Sequence, residues 1–294
     1  MSNSTLEGNT YTRPVPVPAP LRSLLYVPAD RPDRAATAFG LTGEQAPDAL
    51  ILDLEDGVAP SARADARARL ADLAAGRPGA SPRIWVRVNS GPGLAADLDA
   101  VAPLDVDGVI LPKATVATVD GCSALLDSFG ISVPVTALIE SAAGWLEVAE
   151  IARHPAVVRL AIGEADLTAD LGMTPSTDHR ELMPLRVQLV VASAAAAIDP
   201  PTGPVSTEFR DLDALRGSTA SLKAMGFGSR SAIHPAQVPV INEVFTPTVD
   251  ELARARELVE LFDRAVAAGD GAIVGPDGKM VDEAVVRSAR RLLG

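Results

Sequence analysis

The chain has 294 residues, 47% of them hydrophobic and 22% charged, with a formal net charge of −12. That composition excludes a disordered chain and argues against nucleic acid as a partner, because no basic stripe is available for a phosphate backbone. One cysteine, Cys122, excludes an internal disulfide framework or a cysteine-based zinc site, and no apolar run reaches the roughly 18 residues of a membrane span.

Residues 1–20 read as an extended arm, polar at first and then Pro-spaced at Pro14, Pro16, Pro18 and Pro20. The arm has neither the basic start and apolar stretch of a secretion signal nor an Arg-rich amphipathic pattern, so the expected location is cytoplasmic. From Arg22 onward, short apolar runs alternate with Ala-rich helical stretches. The predicted strands are Ser23–Val27, Ala49–Leu54, Ile84–Val88, Gly108–Leu111, Val133–Ile139 and Val158–Ile162, then a weak seventh near Ala196–Asp199 and an eighth at Ser231–Ile233. Strands alternating with helices indicate parallel βα units, and eight of them predict an α/β fold of the (β/α)8 TIM-barrel type over residues 21–246. Residues 247–294 lie beyond that count. They read as an amphipathic helix over Val249–Ala268, a hairpin turning at Gly275-Pro276-Asp277-Gly278, and a last helix from an N-cap near Asp282 to Leu293. This is a C-terminal extension able to cap the barrel mouth or dock on a neighbouring subunit.

Each run ends in a special residue. Asp53 to Arg87 spans 34 residues, Arg87 to Lys113 26, Lys113 to Glu140 27 and Glu140 to Asp166 26. One βα unit per step places the five around one ring, on the face where barrels hold their active sites. The bland alternative is that polar residues end strands because strands end.

Glu140 and Asp166 close successive strands, and two ionised carboxylates there repel each other unless a cation sits between them. An oxygen-only pair suits Mg²⁺; the alternatives are one carboxyl acting as a general acid, or a hydrogen-bonded structural pair. Arg87, in an apolar strand, needs a planar acidic partner, either a substrate carboxylate or Asp53, Glu55 or Asp56 of the DLED run. Arg22, Arg31 and Arg34 crowd the first strand and its loop, as a phosphate site or as plain solvated charge. His234 follows the eighth strand, with no G-x-S-x-G elbow, H-E-x-x-H or P-loop elsewhere to pair with it. His154 and His179 read as structural or exposed.

Eight short segments in order, RSLLYVP from Arg22, DLEDGV from Asp53, RVN from Arg87, LPK to Lys113, IES around Glu140, GEADL from Gly163, AIHP around His234 and GKMVD to Asp282, carry a resemblance covering nearly the whole chain. It resembles the citrate lyase β-subunit family, which takes in the CitE-like proteins and the malyl-CoA and citramalyl-CoA lyases of the wider HpcH/HpaI aldolase group. The resemblance implies a (β/α)8 barrel, a homotrimer or hexamer, Mg²⁺ as cofactor, and a CoA thioester with a small α-keto acid as ligands. By the resemblance Glu140 and Asp166 match the metal ligands, and Arg87 matches the arginine holding a substrate oxygen. Asp53, Glu55 and Asp56 match the acidic cluster beside the metal's water shell. Arg22, Arg31 and Arg34 match the region meeting the CoA phosphates, and Lys113 and His234 are expected to bind substrate. Asp282 matches a lid aspartate that reaches the neighbouring subunit's site and moves a proton on the acetyl methyl.

Two departures stand out. Gly163-Glu164-Ala165-Asp166 replaces the usual Gly-Thr-Glu-Asp, and Ala29 stands where Gly is usual. The expected activity is a Claisen-type lyase or synthase on malyl-CoA or citramalyl-CoA. The alternatives are a malyl-CoA-type thioesterase, a CoA-independent pyruvate aldolase, and a catalytically altered CoA-ester-binding subunit.

Overall fold

Alternate residues of a strand face opposite sides of a sheet, and closing the sheet makes those sides an interior and a shell. The computed structural model describes residues 21–77, 79 and 82–294, so the predicted arm over residues 1–20 lies outside the described residues. Eight parallel strands close in sequence order, with β8 pairing back to β1. They are β1 (Ser23–Pro28), β2 (Ala49–Asp53), β3 (Arg83–Arg87), β4 (Gly108–Leu111), β5 (Val135–Ile139), β6 (Val157–Ile162), β7 (Asp199–Gly203) and β8 (Ser229–Ala232). Around them run α1 (Pro32–Phe39), α2 (Arg63–Ala75), α3 (Leu94–Val101), α4 (Val116–Ser128), α5 (Ala142–Leu146), α6 (Val148–Arg153), α7 (Glu164–Asp170), α8 (Met183–Ala195), α9 (Leu212–Met225) and α10 (Gln237–Phe245).

The core divides by parity. Leu24, Ala49, Ile51, Trp85, Ile110, Leu138 and Ala161 pack inside the barrel. Leu25, Val27, Leu50, Leu52, Val86, Val109, Leu111 and Ile139 belong to the larger cluster shared with the helices. The small aliphatic composition serves this arrangement, since a barrel interior is filled by stacked side chains and is not a pore.

The six predicted strands from β1 to β6 match the observed ones to within about two residues, the ordinary scatter of strand ends. The seventh is displaced: β7 is Asp199–Gly203, DPPTG, and not the apolar stretch before it. Two prolines cannot donate to a ladder. The register to β6 accommodates them with an irregularity, in which Asp199 faces Arg159 and Thr202 faces Ala161. Of the predicted segment, Ala196 caps the end of α8, Ala197 at φ 55° turns the chain, and only Asp199 belongs to β7. β8 is polar as well, and its interior face is held by a 2.8 Å hydrogen bond between the Thr202 and Ser229 hydroxyls.

The tail consists of α11 (Val249–Ala267), a hairpin of β9 (Ile273–Val274) and β10 (Met280–Val281), and α12 (Glu283–Leu293). Thr248 and Glu251 form a capping box at the start of α11. Phe262, Val281 and Val286, with Leu258, Val259 and Ile273, make a small core separate from both barrel clusters. Among the described residues no helix is long and apolar enough to cross a membrane.

Candidate active site

The parity that puts Ile51, Trp85 and Leu138 inside the barrel puts Asp53, Arg87 and Glu140 on the same side two residues later, at the C-terminal rim. Asp53 is 2% exposed. It accepts from Arg87 Nε at 2.6 Å and Nη2 at 2.7 Å, and from the Glu55 and Gly57 amides at 3.0 and 2.8 Å. A Cβ on Gly57 would lie 2.3 Å from Asp53 Oδ2, so the loop can approach this closely only with glycine there. Arg87 Nη1 lies 3.0 Å from Glu55 Oε2, and its guanidinium stands 4.8 Å over the Tyr26 ring. Burial pulls the Arg87 pKa down, but Asp53, Tyr26 and Glu55 outweigh it and hold it above its ordinary value. The internal partner of Arg87 is therefore Asp53 with Glu55, two of the partners the sequence leaves open.

Lys113 follows β4 in the left-handed region, at φ 51°. Its amide donates to Glu140 Oε1 at 2.8 Å. Its ammonium lies 2.5 Å from Glu55, 3.7 Å from Asp166 and 3.9 Å from Glu140. Burial lowers its pKa, yet Glu55, Glu140 and Asp56 hold it above the ordinary value. Burial and then the Glu55 charge push the Glu140 carboxyl up to about 7, against the opposing pull of Lys113. Asp166 stands in the first turn of α7, where the helix dipole favours a carboxylate. Glu164, the acid displaced by one position, is held in a bidentate pair with Arg186 at 2.6 and 2.8 Å.

Tyr26, Asp53, Asp56, Arg87, Glu140 and Asp166 line a cavity of about 790 Å³, whereas Glu55 and Lys113 are not part of its wall. Arg34 and His234 line it too. His234 Nδ1 accepts from the Ala236 amide at 3.1 Å, so the neutral ring carries its proton on Nε2. The ring stacks on Phe209 with centroids 4.9 Å apart.

Three sequence candidates lie elsewhere. Arg22 precedes β1 and so sits at the opposite, N-terminal end of the barrel, where Asp48 takes its Nε and Nη2 at 2.9 and 2.7 Å and Thr246 its Nη1 at 2.7 Å. Its expected phosphate contact is corrected on that ground, because both the wrong face and the bidentate partner remove it. Arg31 pairs at 2.8 Å with the exposed Asp33 beside α1 and does not line the cavity. Asp282 caps α12, with Oδ1 accepting from the Ala284 and Val285 amides at 3.0 and 3.1 Å, and is not part of its own chain's cavity wall. Tyr26 and the Glu164–Arg186 pair were not picked out from the sequence. Only the inward parity Tyr26 shares with Leu24 signals the first, and nothing local signals the second.

A divalent metal fits the donor set. Among the described residues no cluster of three or more His, Cys, Asp and Glu side chains has metal-binding geometry. A metal here would have two carboxylates and take its other ligands from water and substrate oxygens, which is the habit of Mg²⁺. One ammonium already reaches both Glu140 and Asp166. Gly163 leaves the room Glu140 needs, since a Cβ there would lie 2.4 Å from Glu140 Oε2.

Comparison with known proteins identifies the family. The HpcH/HpaI aldolase/citrate lyase family model matches residues 22–235. A (3S)-malyl-CoA thioesterase of Cereibacter sphaeroides is 34% identical over 281 residues, covering 93% of this chain and 94% of that protein. An L-malyl-CoA/beta-methylmalyl-CoA lyase of the same species is 32% identical over 318 residues, covering 94% of this chain and 95% of that protein. Among solved structures, CitE of Mycobacterium tuberculosis in complex with magnesium, acetoacetate and coenzyme A matches with a TM-score of 0.76 at 32% identity, covering 94% of this chain and 97% of that one.

Proposed function

The chain belongs to the HpcH/HpaI aldolase/citrate lyase family, and we propose that within it this protein is a Mg²⁺-dependent carbon–carbon lyase. Its substrate in this reading is a short β-hydroxyacyl-CoA such as malyl-CoA or citramalyl-CoA, and its products are acetyl-CoA and an α-keto acid. The observation that carries the reading is the pair Glu140 and Asp166 around one shared cation position beside an immobilised Arg87. Relatives named for malyl-CoA chemistry and a neighbour bound to magnesium and coenzyme A support it.

Cleavage breaks the bond between the thioester α-carbon and the carbinol carbon. The hydroxyl gives up its proton, its oxygen becomes the carbonyl of the keto acid, and the electron pair passes into the thioester enolate, which then takes a proton at carbon. Glu140 and Asp166 would hold the metal. When bound, Mg²⁺ supplies Lewis-acid stabilisation of the negative charge that develops on oxygen. Arg87 adds a positive charge that Asp53 and Glu55 have already fixed, so no reorganisation is needed as oxygen charge develops. Arg34 offers a charge for an anionic ligand and His234 Nε2 a donor for a carbonyl, both on the same cavity wall. Asp282 protonates the enolate carbon from the tail of a neighbouring copy in a trimer or hexamer.

A second reading has its own support, since a relative at 34% identity, against 32% for the lyase, is named a thioesterase. Incubating malyl-CoA and citramalyl-CoA with the protein and Mg²⁺, followed by mass spectrometry, separates the two. Acetyl-CoA with glyoxylate or pyruvate is the expected result, and free CoA with the hydroxyacid would replace it by the thioesterase reading. Turnover that persists unchanged in EDTA, or no turnover of either ester, would sink both.

A further inference from the structure

We propose that Lys113 is a built-in counter-ion of the metal site: a positioning residue that neutralises Glu140 and Asp166 before metal loading and competes with Mg²⁺ for them. The inference rests on the metal reading above. Five acidic groups crowd this rim: Asp53, Glu55, Asp56, Glu140 and Asp166. Of the fixed cations nearby, Arg87 is taken up by Asp53 and Glu55. Glu140 and Asp166 then depend on one ammonium, 3.9 and 3.7 Å away. Like-charged carboxylates this close disfavour joint ionisation unless a cation lies between them.

The backbone is shaped to deliver that ammonium. Lys113 adopts φ 51°, a conformation costly for a residue with a Cβ, and holds it with its own amide on Glu140 Oε1 at 2.8 Å. The side chain is still 46% exposed, so it can swing without disrupting the core. Glu55 gives it a resting partner at 2.5 Å that is not one of the two metal-binding carboxylates. Metal entry therefore requires Lys113 to give up Glu140 and Asp166 and keep Glu55, a short withdrawal along an existing ion pair.

The test is isothermal titration of MgCl₂ at pH 8.5 into the full chain stripped with EDTA, for wild type, Lys113→Asn and Lys113→Arg, together with thermal unfolding at the same pH in EDTA and in saturating Mg²⁺. Asn tolerates the left-handed backbone, which keeps that variant folded while removing the charge; Arg retains the charge. Lys113→Asn should bind Mg²⁺ about tenfold tighter than wild type. It should melt lower in EDTA and regain the difference in Mg²⁺, and Lys113→Arg should stay near wild type in both measurements. Unchanged or weaker Mg²⁺ affinity in Lys113→Asn, with wild type binding normally, overturns the counter-ion role alone. Absence of Mg²⁺ binding in all three proteins overturns the metal reading and the counter-ion role with it.

Discussion

Asp53 and Arg87 make a buried bidentate pair in which neither group has an alternative partner of equal quality. Replacing Arg87 by Met leaves the Asp53 charge buried and uncompensated. It should cost about 3–5 kcal/mol in urea unfolding, while Asp53→Asn/Arg87→Met together should recover much of that loss. Glu140 carries a second prediction. Its carboxyl holds its proton to about pH 7 when folded, against 4.5 for the ordinary group, so between those values the folded state binds the extra proton. Stability from this group is complete below about pH 4.5 and is lost as pH rises through 7, with a steepest slope of about 1.4 kcal/mol per pH unit. Metal-free melting followed from pH 4.5 to 8 should show this decline, and Glu140→Gln should abolish it. Mg²⁺ must displace the same proton, so its calorimetric affinity should weaken about tenfold per unit below pH 7 and level off above. At this scale Asp53, Arg87 and Glu140 are legible because strand parity and strand ends are both sequence properties. Arg22 is misplaced because it is grouped with the loop after β1, although a residue that precedes a strand flanks its N-terminal end. Tyr26 looks like any interior residue until a guanidinium is seen above it.

The elements that deliver these groups carry constraints of their own. The step from β6 into α7 passes Gly163, where a methyl group would meet Glu140 Oε2 at 2.4 Å and its Cβ at 2.7 Å. Gly163→Ala should therefore weaken Mg²⁺ binding by about 10–100-fold and also lower the melting temperature in EDTA, because Glu140 Cβ cannot move aside without the end of β5 moving with it. The start of α12 separates capping from chemistry. Asp282→Ala removes a cap worth about 1 kcal/mol and should raise hydrogen exchange across α12, whereas Asp282→Asn keeps the cap. Both should lose turnover equally if the carboxylate moves the proton, and Asn should remain active if the residue serves only as a cap. Most elements are readable from apolar period and turn residues. β7 is not, because Asp199, Pro200 and Pro201 carry every local mark of a loop, and only the pairing of Asp199 and Thr202 with β6 and of Thr202 and Gly203 with β8 makes the segment a strand.

At the scale of the whole molecule, the cavity wall is drawn from the barrel, while Asp282 belongs to a tail with a core of its own. A shared site between copies predicts complementation. Mixed oligomers of Glu140→Ala and Asp282→Ala chains should regain part of the activity that each lacks alone, and no recovery after subunit exchange would confine the chemistry to one chain. The two-cluster core has a consequence of a different kind. Asp53, Arg87 and Glu140 stand at one parity, above the plug of Ile51, Trp85 and Leu138, while the side chains that hold the helices on occupy the other. Rim substitutions that leave no buried charge unpaired can accumulate with little cost to the helical jacket, so descendants of one ancestral scaffold can part ways in catalysis while remaining foldable.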